Sequence, residues 1–280
     1  MQETAGVLHR SGSTIHYWVA GHHRAPLVAF THGTSMDMRM FAPQLQAVWD
    51  AGYRTLRWDM RGHGRSRPIG TVPFTLANVG DDLLALLDSL LMGRQACLVG
   101  HSLGAHVSQH VVFARPERIA ALVLVGSTCV TVPARPWRTV LSASSPMVQR
   151  LRTGMALRHR LARASAVDPA VQTYAFEATD QFSKSELISV WRASTTRIRA
   201  HPGYRIEQPL LLTHGEYDFR RRVSRFAPKW AARDPRCEYE VVRRAGHHAN
   251  QDNPAAFNAI LVEFLARHFP IPRGLGRTSG

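Results

Sequence analysis

Leu98-Val99-Gly100-His101-Ser102-Leu103-Gly104 leads from an apolar stretch, Ala96-Val99, straight into a helical pattern, Leu103-Ala114. A Gly-x-Ser-x-Gly between a strand and a helix forces a very tight turn. Gly100 and Gly104 then remove side chains where backbones approach, and the Ser102 hydroxyl is predicted to stand at the carboxyl edge of a sheet. The following helix aims its N-terminal dipole at an anion formed there, and the Leu103 N–H is placed to donate to it. The flanking strand and helix make this short motif informative.

Outward from this turn the chain alternates. Thr14-Val19, Leu27-Thr31, Arg54-Trp58, Ala96-Val99 and Ala120-Val125 read as strands, and from Leu27 onward they are nearly continuously apolar, as strands covered on both faces are. Helices are predicted over Met38-Trp49, Thr75-Leu91 and Leu103-Ala114. The rhythm resumes with strands at Leu210-Thr213 and Cys237-Val242, a helix over Arg221-Ala232, and a last helix opened by Asn253 as cap and Pro254 in the first turn. The fold class is therefore α/β, a mostly parallel twisted sheet with helices on both faces.

Residues 131–205 break the rhythm. Pro133, Pro136, Pro146, Gly154 and Pro169 interrupt helix-like patches there, and structureless loops of that length are rare, so a helical insertion is expected. The organisation read from the sequence is a core of residues 1–130 and 206–270, an inserted helical segment 131–205, and a frayed tail 271–280. The insertion carries 12 basic and 4 acidic residues, so +8 of the formal +15 falls within it.

All but Lys184 and Lys229 of the 35 basic residues are arginine. Such a charge invites a nucleic-acid reading, but no nucleic-acid motif accompanies it, and a solvated arginine-rich surface is the expectation. Arg220, Arg221, Arg222 and Arg225 are likewise read as a solvated helix face. Cys97, Cys129 and Cys237 are odd in number and far apart, which suits reduced core residues; with no secretory leader pattern and no apolar run long enough to span a membrane, a cytoplasmic protein is expected. Fifteen histidines raise the question of a metal, yet no metal-binding spacing appears, and neither metal nor cofactor is expected.

A serine hydroxyl needs a base, and the base an orienting acid. Strand Leu210-Thr213 runs into His214-Gly215-Glu216-Tyr217-Asp218, and strand Cys237-Val242 leads to Gly246-His247-His248, so carboxylates and imidazoles fall at the same sheet edge as Ser102. The residues alone leave Glu216 or Asp218, and His247 or His248, open.

With these pieces the chain, from about residue 14 to 268, resembles the α/β-hydrolase fold family in its serine-nucleophile branch. His32-Gly33-Thr34 is similar to that family's oxyanion loop, Asp59-Met60-Arg61-Gly62-His63-Gly64-Arg65-Ser66 to its D-x-R-G-x-G-x-S loop, and Pro254 follows the histidine at the family's usual distance. The resemblance implies Ser102 as nucleophile, His247, directly after Gly246, as base, and Asp218, completing a G-x-x-D, as acid. It implies that the Thr34 N–H joins Leu103 in the oxyanion hole, and that the insertion is a lid whose Trp137, Phe176 and Trp191, with Met36 beside the oxyanion loop, line a substrate pocket. The expected reaction is hydrolysis of a small to medium carboxylic ester or lactone. Thioester, amide or carbon-carbon bond hydrolysis, cofactor-free peroxidase-like chemistry, and a receptor with slow turnover are the alternatives; Ser102 argues against relatives that use an aspartate nucleophile. Oligomeric state is not legible.

Overall fold

The computed structural model describes residues 1–131, 155–195, 201, 203–218 and 221–272. Eight strands form one sheet: β1 (Thr4–Arg10), β2 (Ser13–Ala20), β3 (Leu27–Thr31), β4 (Arg54–Trp58), β5 (Ala96–His101), β6 (Ile119–Val125), β7 (Leu210–Gly215) and β8 (Cys237–Val242). Their spatial order is β1-β2-β4-β3-β5-β6-β7-β8, with β1, β2 and β4 paired antiparallel and every neighbour from β4 to β8 parallel. The expected α/β class is the observed one.

Strands β3, β5 and β7 are buried at every position, as a central parallel strand must be. Their alternate residues feed two cores. Leu27, Ala29 and Leu98 join Leu83, Leu86 and Leu87 of α2 (Leu76–Leu91) and Val107 and Val111 of α3 (Leu103–Ala114) on one face. Val28, Phe30, Cys97 and Val99 join Val48 of α1 (Leu45–Asp50) and Phe257, Leu261 and Phe264 of α9 (Pro254–His268) on the other. Between β6 and β7 lie three inserted helices, α4 (Met155–Ser165), α5 (Pro169–Asp180) and α6 (Lys184–Thr195); α7 (Arg221–Arg233) and the short α8 (Ala249–Asp252) complete the helices named here.

Two local expectations change. The helix expected over Met38-Trp49 is a 3₁₀ segment, Met38–Gln44, followed by α1; Pro43 lies inside the segment, where its ring would clash with the carbonyl four residues back in an α-helix. β1 was not expected: it is an edge strand, half exposed along its length, so it has no apolar run to reveal it. Ile271 packs on the second core, close against Gly52. The predicted cap is present, Asn253 accepting from the Ala256 N–H, and Thr75 caps α2 by accepting from the Asn78 N–H. Arg225 lies on the exposed side of α7, whereas the side chains of residues 220–222, and Trp137, lie outside the described residues. Among the described residues no helix is long and apolar enough to cross a membrane.

The order of the strands has a functional consequence. The chain passes outward from β3 to β4 and then returns to lay β5 on β3's other side, so the connections leaving β3 and β5 diverge and open a crevice at their carboxyl ends. Register keeps those ends level, Thr31 beside Gly100 and His101 beside Val125.

The loop after β4 is anchored to α2 by a buried ion pair. Arg61 Nε and Nη2 donate to Asp82 Oδ2 and Oδ1 at 2.6 and 2.5 Å, with both side chains nearly inaccessible. Removing one partner strands the other charge in the core. Asp82→Ala is therefore expected to lower stability by about 3–5 kcal/mol, read as a shift of the urea unfolding midpoint; a loss under about 1 kcal/mol would mean that the pair behaves as a surface contact.

Candidate active site

Ser102 occupies the turn between β5 and α3 with φ 51° and ψ −106°, a conformation that a residue with a Cβ adopts only under strain, and is 5% exposed. Its neighbours explain how the turn closes. A Cβ on Gly100 would lie 2.5 Å from the Gly104 carbonyl group, and one on Gly104 would lie 2.1 Å from the Thr31 oxygen. The Ser102 N–H donates to the Val125 carbonyl at 2.8 Å, which seats the turn against the end of β6. As the first residue of α3, Leu103 has an N–H with no partner inside its own helix.

The loops after β7 and β8 converge on the same place. A Cβ on Gly215 would lie 2.0 Å from the Gly246 oxygen, so the two backbones touch. Asp218 Oδ2 stands 2.9 Å from His247 Nδ1, with the residues 7% and 3% exposed. An Nδ1–H donated to a carboxylate makes Nε2 the ring's acceptor nitrogen. Gly126, one residue past β6, lies beneath the imidazole: its φ is +60°, and a Cβ there would be 2.9 Å from His247 Cε1. Val125, which holds the serine's amide, and Gly126, which underlies the imidazole, are consecutive residues.

The two open choices are separated by geometry. Glu216 accepts from the Arg244 N–H at 3.0 Å and from Arg243 Nη1 at 3.2 Å, and these contacts hold its carboxyl below the usual range. The His248 ring meets that of His101 edge to face, with centroids 5.1 Å apart. His101 itself donates from Nε2 to the His247 carbonyl at 2.8 Å and fills the space a Cβ on Gly33 would need.

The loop after β3 is braced by neutral histidines. His32 donates from Nδ1 to the Gly33 carbonyl and accepts the Met60 N–H on Nε2, at 2.9 and 3.0 Å. His63 donates to the Arg61 carbonyl and accepts the Ser35 N–H, at 3.1 and 3.3 Å. Burial pushes His32 down despite nearby Asp59, and pushes His63 well down. Asp59 accepts the Met38 and Arg65 N–H groups, both at 2.8 Å, joining the loop after β3 to its own loop. These residues brace loops; among the described residues no group of three His, Cys, Asp or Glu could hold a metal ion.

Thr34 sits in this loop's turn, half-buried, and Met36 is buried beside it. The inserted helix α5 docks here. Tyr174 donates its hydroxyl to the Asp37 carbonyl at 3.2 Å while accepting the Asp37 N–H at 3.3 Å, and Ser35 Oγ meets Thr179 Oγ1 at 3.1 Å. Burial raises the Tyr174 hydroxyl well above its ordinary range, so it stays a donor. Phe176 stacks on His159 at 3.8 Å between centroids, and Trp191 is half-buried on α6. Gly126 was not singled out from the sequence, although a glycine directly after an apolar strand was a readable sign of a crowded strand end.

A family model described as "Alpha/beta hydrolase family" matches residues 28–260. The chain is 28% identical over 257 residues, 85% of its length and 90% of the relative's, to a Caulobacter sp. (strain K31) protein named "Putative carbamate hydrolase RutD". It is 35% identical over 113 residues to an epoxide hydrolase of Caballeronia sordidicola, covering 40% of this chain and 33% of that one. The alignments to the first three curated relatives span only 33–42% of those proteins. Among solved structures, a hydrolase from Pseudomonas aeruginosa PA01 superposes with a TM-score of 0.77 at 27% identity, over 93% of this chain and 98% of that one.

The neutral braces make stability depend on pH. Unfolded histidines titrate near 6.5, whereas folded His63 takes a proton only well below that. As pH falls through 6.5, the unfolded state binds protons that the folded state excludes, and stability is lost, by up to about 1.4 kcal/mol per pH unit for each such histidine. His63→Gln, which keeps a donor and an acceptor but cannot titrate, is expected to flatten the fall in urea midpoint between about pH 7 and 5. An unchanged slope would show that His63 does not carry it.

Proposed function

The chain belongs to the α/β hydrolase family, and from that premise we propose that it is a serine hydrolase cleaving a carboxylic ester or lactone of small to medium size through an acyl-enzyme on Ser102. The observation that carries this reading is the buried 2.9 Å contact of His247 Nδ1 with Asp218 beside a strained serine turn. That arrangement is a base already oriented by its acid, next to a hydroxyl that needs one.

In this scheme His247 Nε2 accepts the Ser102 proton as Oγ attacks the carbonyl carbon. The tetrahedral oxyanion is held by the N–H groups of Leu103 and Thr34. The imidazolium then protonates the departing alkoxide oxygen, which leaves as an alcohol or, for a lactone, stays tethered to the acyl group. Water enters, gives its proton to Nε2, and releases the acid while the proton returns to Ser102. Asp218 remains ionised throughout, fixing the imidazole tautomer and stabilising its charged form. A serine in place of a carboxylate nucleophile sets this chemistry apart from alkyl-enzyme formation.

The insertion is read as a lid, with Phe176, Trp191 and Trp137 as pocket residues together with Met36. Docking of α5 on the oxyanion loop supports the placement, since it puts the insertion beside the reacting centre. A carbamate or amide reading has one specific support, the resemblance over most of the chain to the RutD relative. The same serine attack would serve it, with nitrogen as the leaving atom.

Hydrolysis of chromogenic esters from acetyl to long acyl chains, with a lactone, a carbamate and an anilide alongside, tests the reading. Ser102→Ala is expected to abolish turnover, and Asp218→Asn to reduce kcat by about 10⁴-fold. Glu216→Gln is expected to change kcat less than about threefold. Wild-type activity on the anilide or carbamate alone would move the assignment to that bond, and Ser102→Ala retaining activity would overturn the nucleophile.

A further inference from the structure

The segment carrying His247 is held on its outer side by a carboxylate that the catalytic scheme leaves unused. Asp252, the last residue of α8, accepts the Gly246 N–H on Oδ2 at 2.7 Å. It also accepts the Val167 N–H on both oxygens and the Asp168 N–H on Oδ1, each at 3.0 Å. Gly246 directly precedes His247, whereas Val167 and Asp168 belong to the link between α4 and α5. One side chain therefore ties the loop of the base to the insertion.

The neighbouring contacts follow the same line. The residue after His247, His248, donates its N–H to the Ser165 carbonyl at the end of α4, at 3.0 Å. A Cβ on Gly246 would stand 3.0 Å from that same Ser165 oxygen and 3.2 Å from Ala166 Cα, so the insertion lies directly on the loop. From the core side, His247 is held by Asp218 at Nδ1 and by His101 at its carbonyl. Three backbone donors converging on one point call for a group that only accepts and has two oxygens, which an ionised aspartate is. An amide there would turn one of its own donors toward an N–H.

On the reading of His247 as base, we infer that Asp252 is its positioning residue: anchored on the N–H groups of the α4–α5 link, its carboxylate holds the Gly246 N–H and so fixes the backbone from which the imidazole projects.

The test uses the full chain with Asp252→Ala, Asp252→Asn and, as comparator, Gln172→Ala. Gln172 bonds the Ala166 and Val167 carbonyls in the same link but makes no contact with Gly246, so its loss loosens the link alone. Two readouts are taken beside the melting temperature: the rate at which a fluorophosphonate ester derivatises Ser102, and the low-field proton resonance of His247 Nδ1–H, assigned by its loss in His247→Gln. A small misplacement of a reacting group lowers rates by up to about 100-fold. Asp252→Ala is accordingly expected to slow derivatisation 10- to 100-fold and to shift or broaden the resonance, Asp252→Asn to do so less, and Gln172→Ala to leave both near wild type. With an active ester, kcat should fall while KM changes less than about threefold. Wild-type rates and resonance in a folded Asp252→Ala or Asp252→Asn would overturn the inference, as would equal losses in Gln172→Ala. A wild-type protein that the reagent fails to label would instead count against the serine-hydrolase reading, and the resonance would then decide the role of Asp252 by itself.

Discussion

The crossing of two backbones at Gly104 is the constraint on which the site depends. With the Thr31 oxygen 2.1 Å from where a Cβ would sit, α3 begins in contact with the end of β3, closer than any larger residue allows. That approach sets the serine turn and the loop after β3 side by side at the mouth of the crevice between β3 and β5. The strained φ of Ser102 is maintained because both neighbours of the turn are fixed: Gly100 against Gly104, and the serine amide on Val125. A strained residue persists where the surrounding structure over-determines it.

Much of this was legible in the sequence because glycine has so few other reasons to occur at such positions. Gly100 and Gly104 could be read as close approaches before any coordinates, and the carboxyl ends of β7 and β8 could be read from apolar runs that stop at polar loops. Other features left no comparable mark. β1 buries too little to show an apolar pattern, and Pro43 interrupts a helical periodicity where its ring disfavours the α-turn. Asp252 in the sequence is simply an acidic residue two positions before a proline. What gives it a partner is a link some 85 residues earlier in the chain, and a contact over that separation has no local signature.

The histidines illustrate how composition misleads without geometry. Fifteen imidazoles on a chain of 280 residues suggest metal binding, yet His32 and His63 each serve as a neutral donor-acceptor pair that spans two loop amides. Burial keeps them uncharged, and neutrality lets one ring nitrogen accept where the other donates. The buried Arg61–Asp82 pair and the Asp59 carboxylate extend this framework, so the loops around the serine turn are held by polar contacts on top of two apolar cores.

The docking of α5 bears on how such proteins diverge. Tyr174 and Thr179 reach Asp37 and Ser35 of the loop after β3, and Arg67 donates to the Gln181 carbonyl and lies over the Phe182 ring at 4.7 Å. The inserted helices are thus not an interchangeable module. A chimera that imports another relative's insertion would have to import partners for Ser35, Asp37 and Arg67 as well, so an exchanged insertion must be inherited together with compensating changes in the scaffold loops.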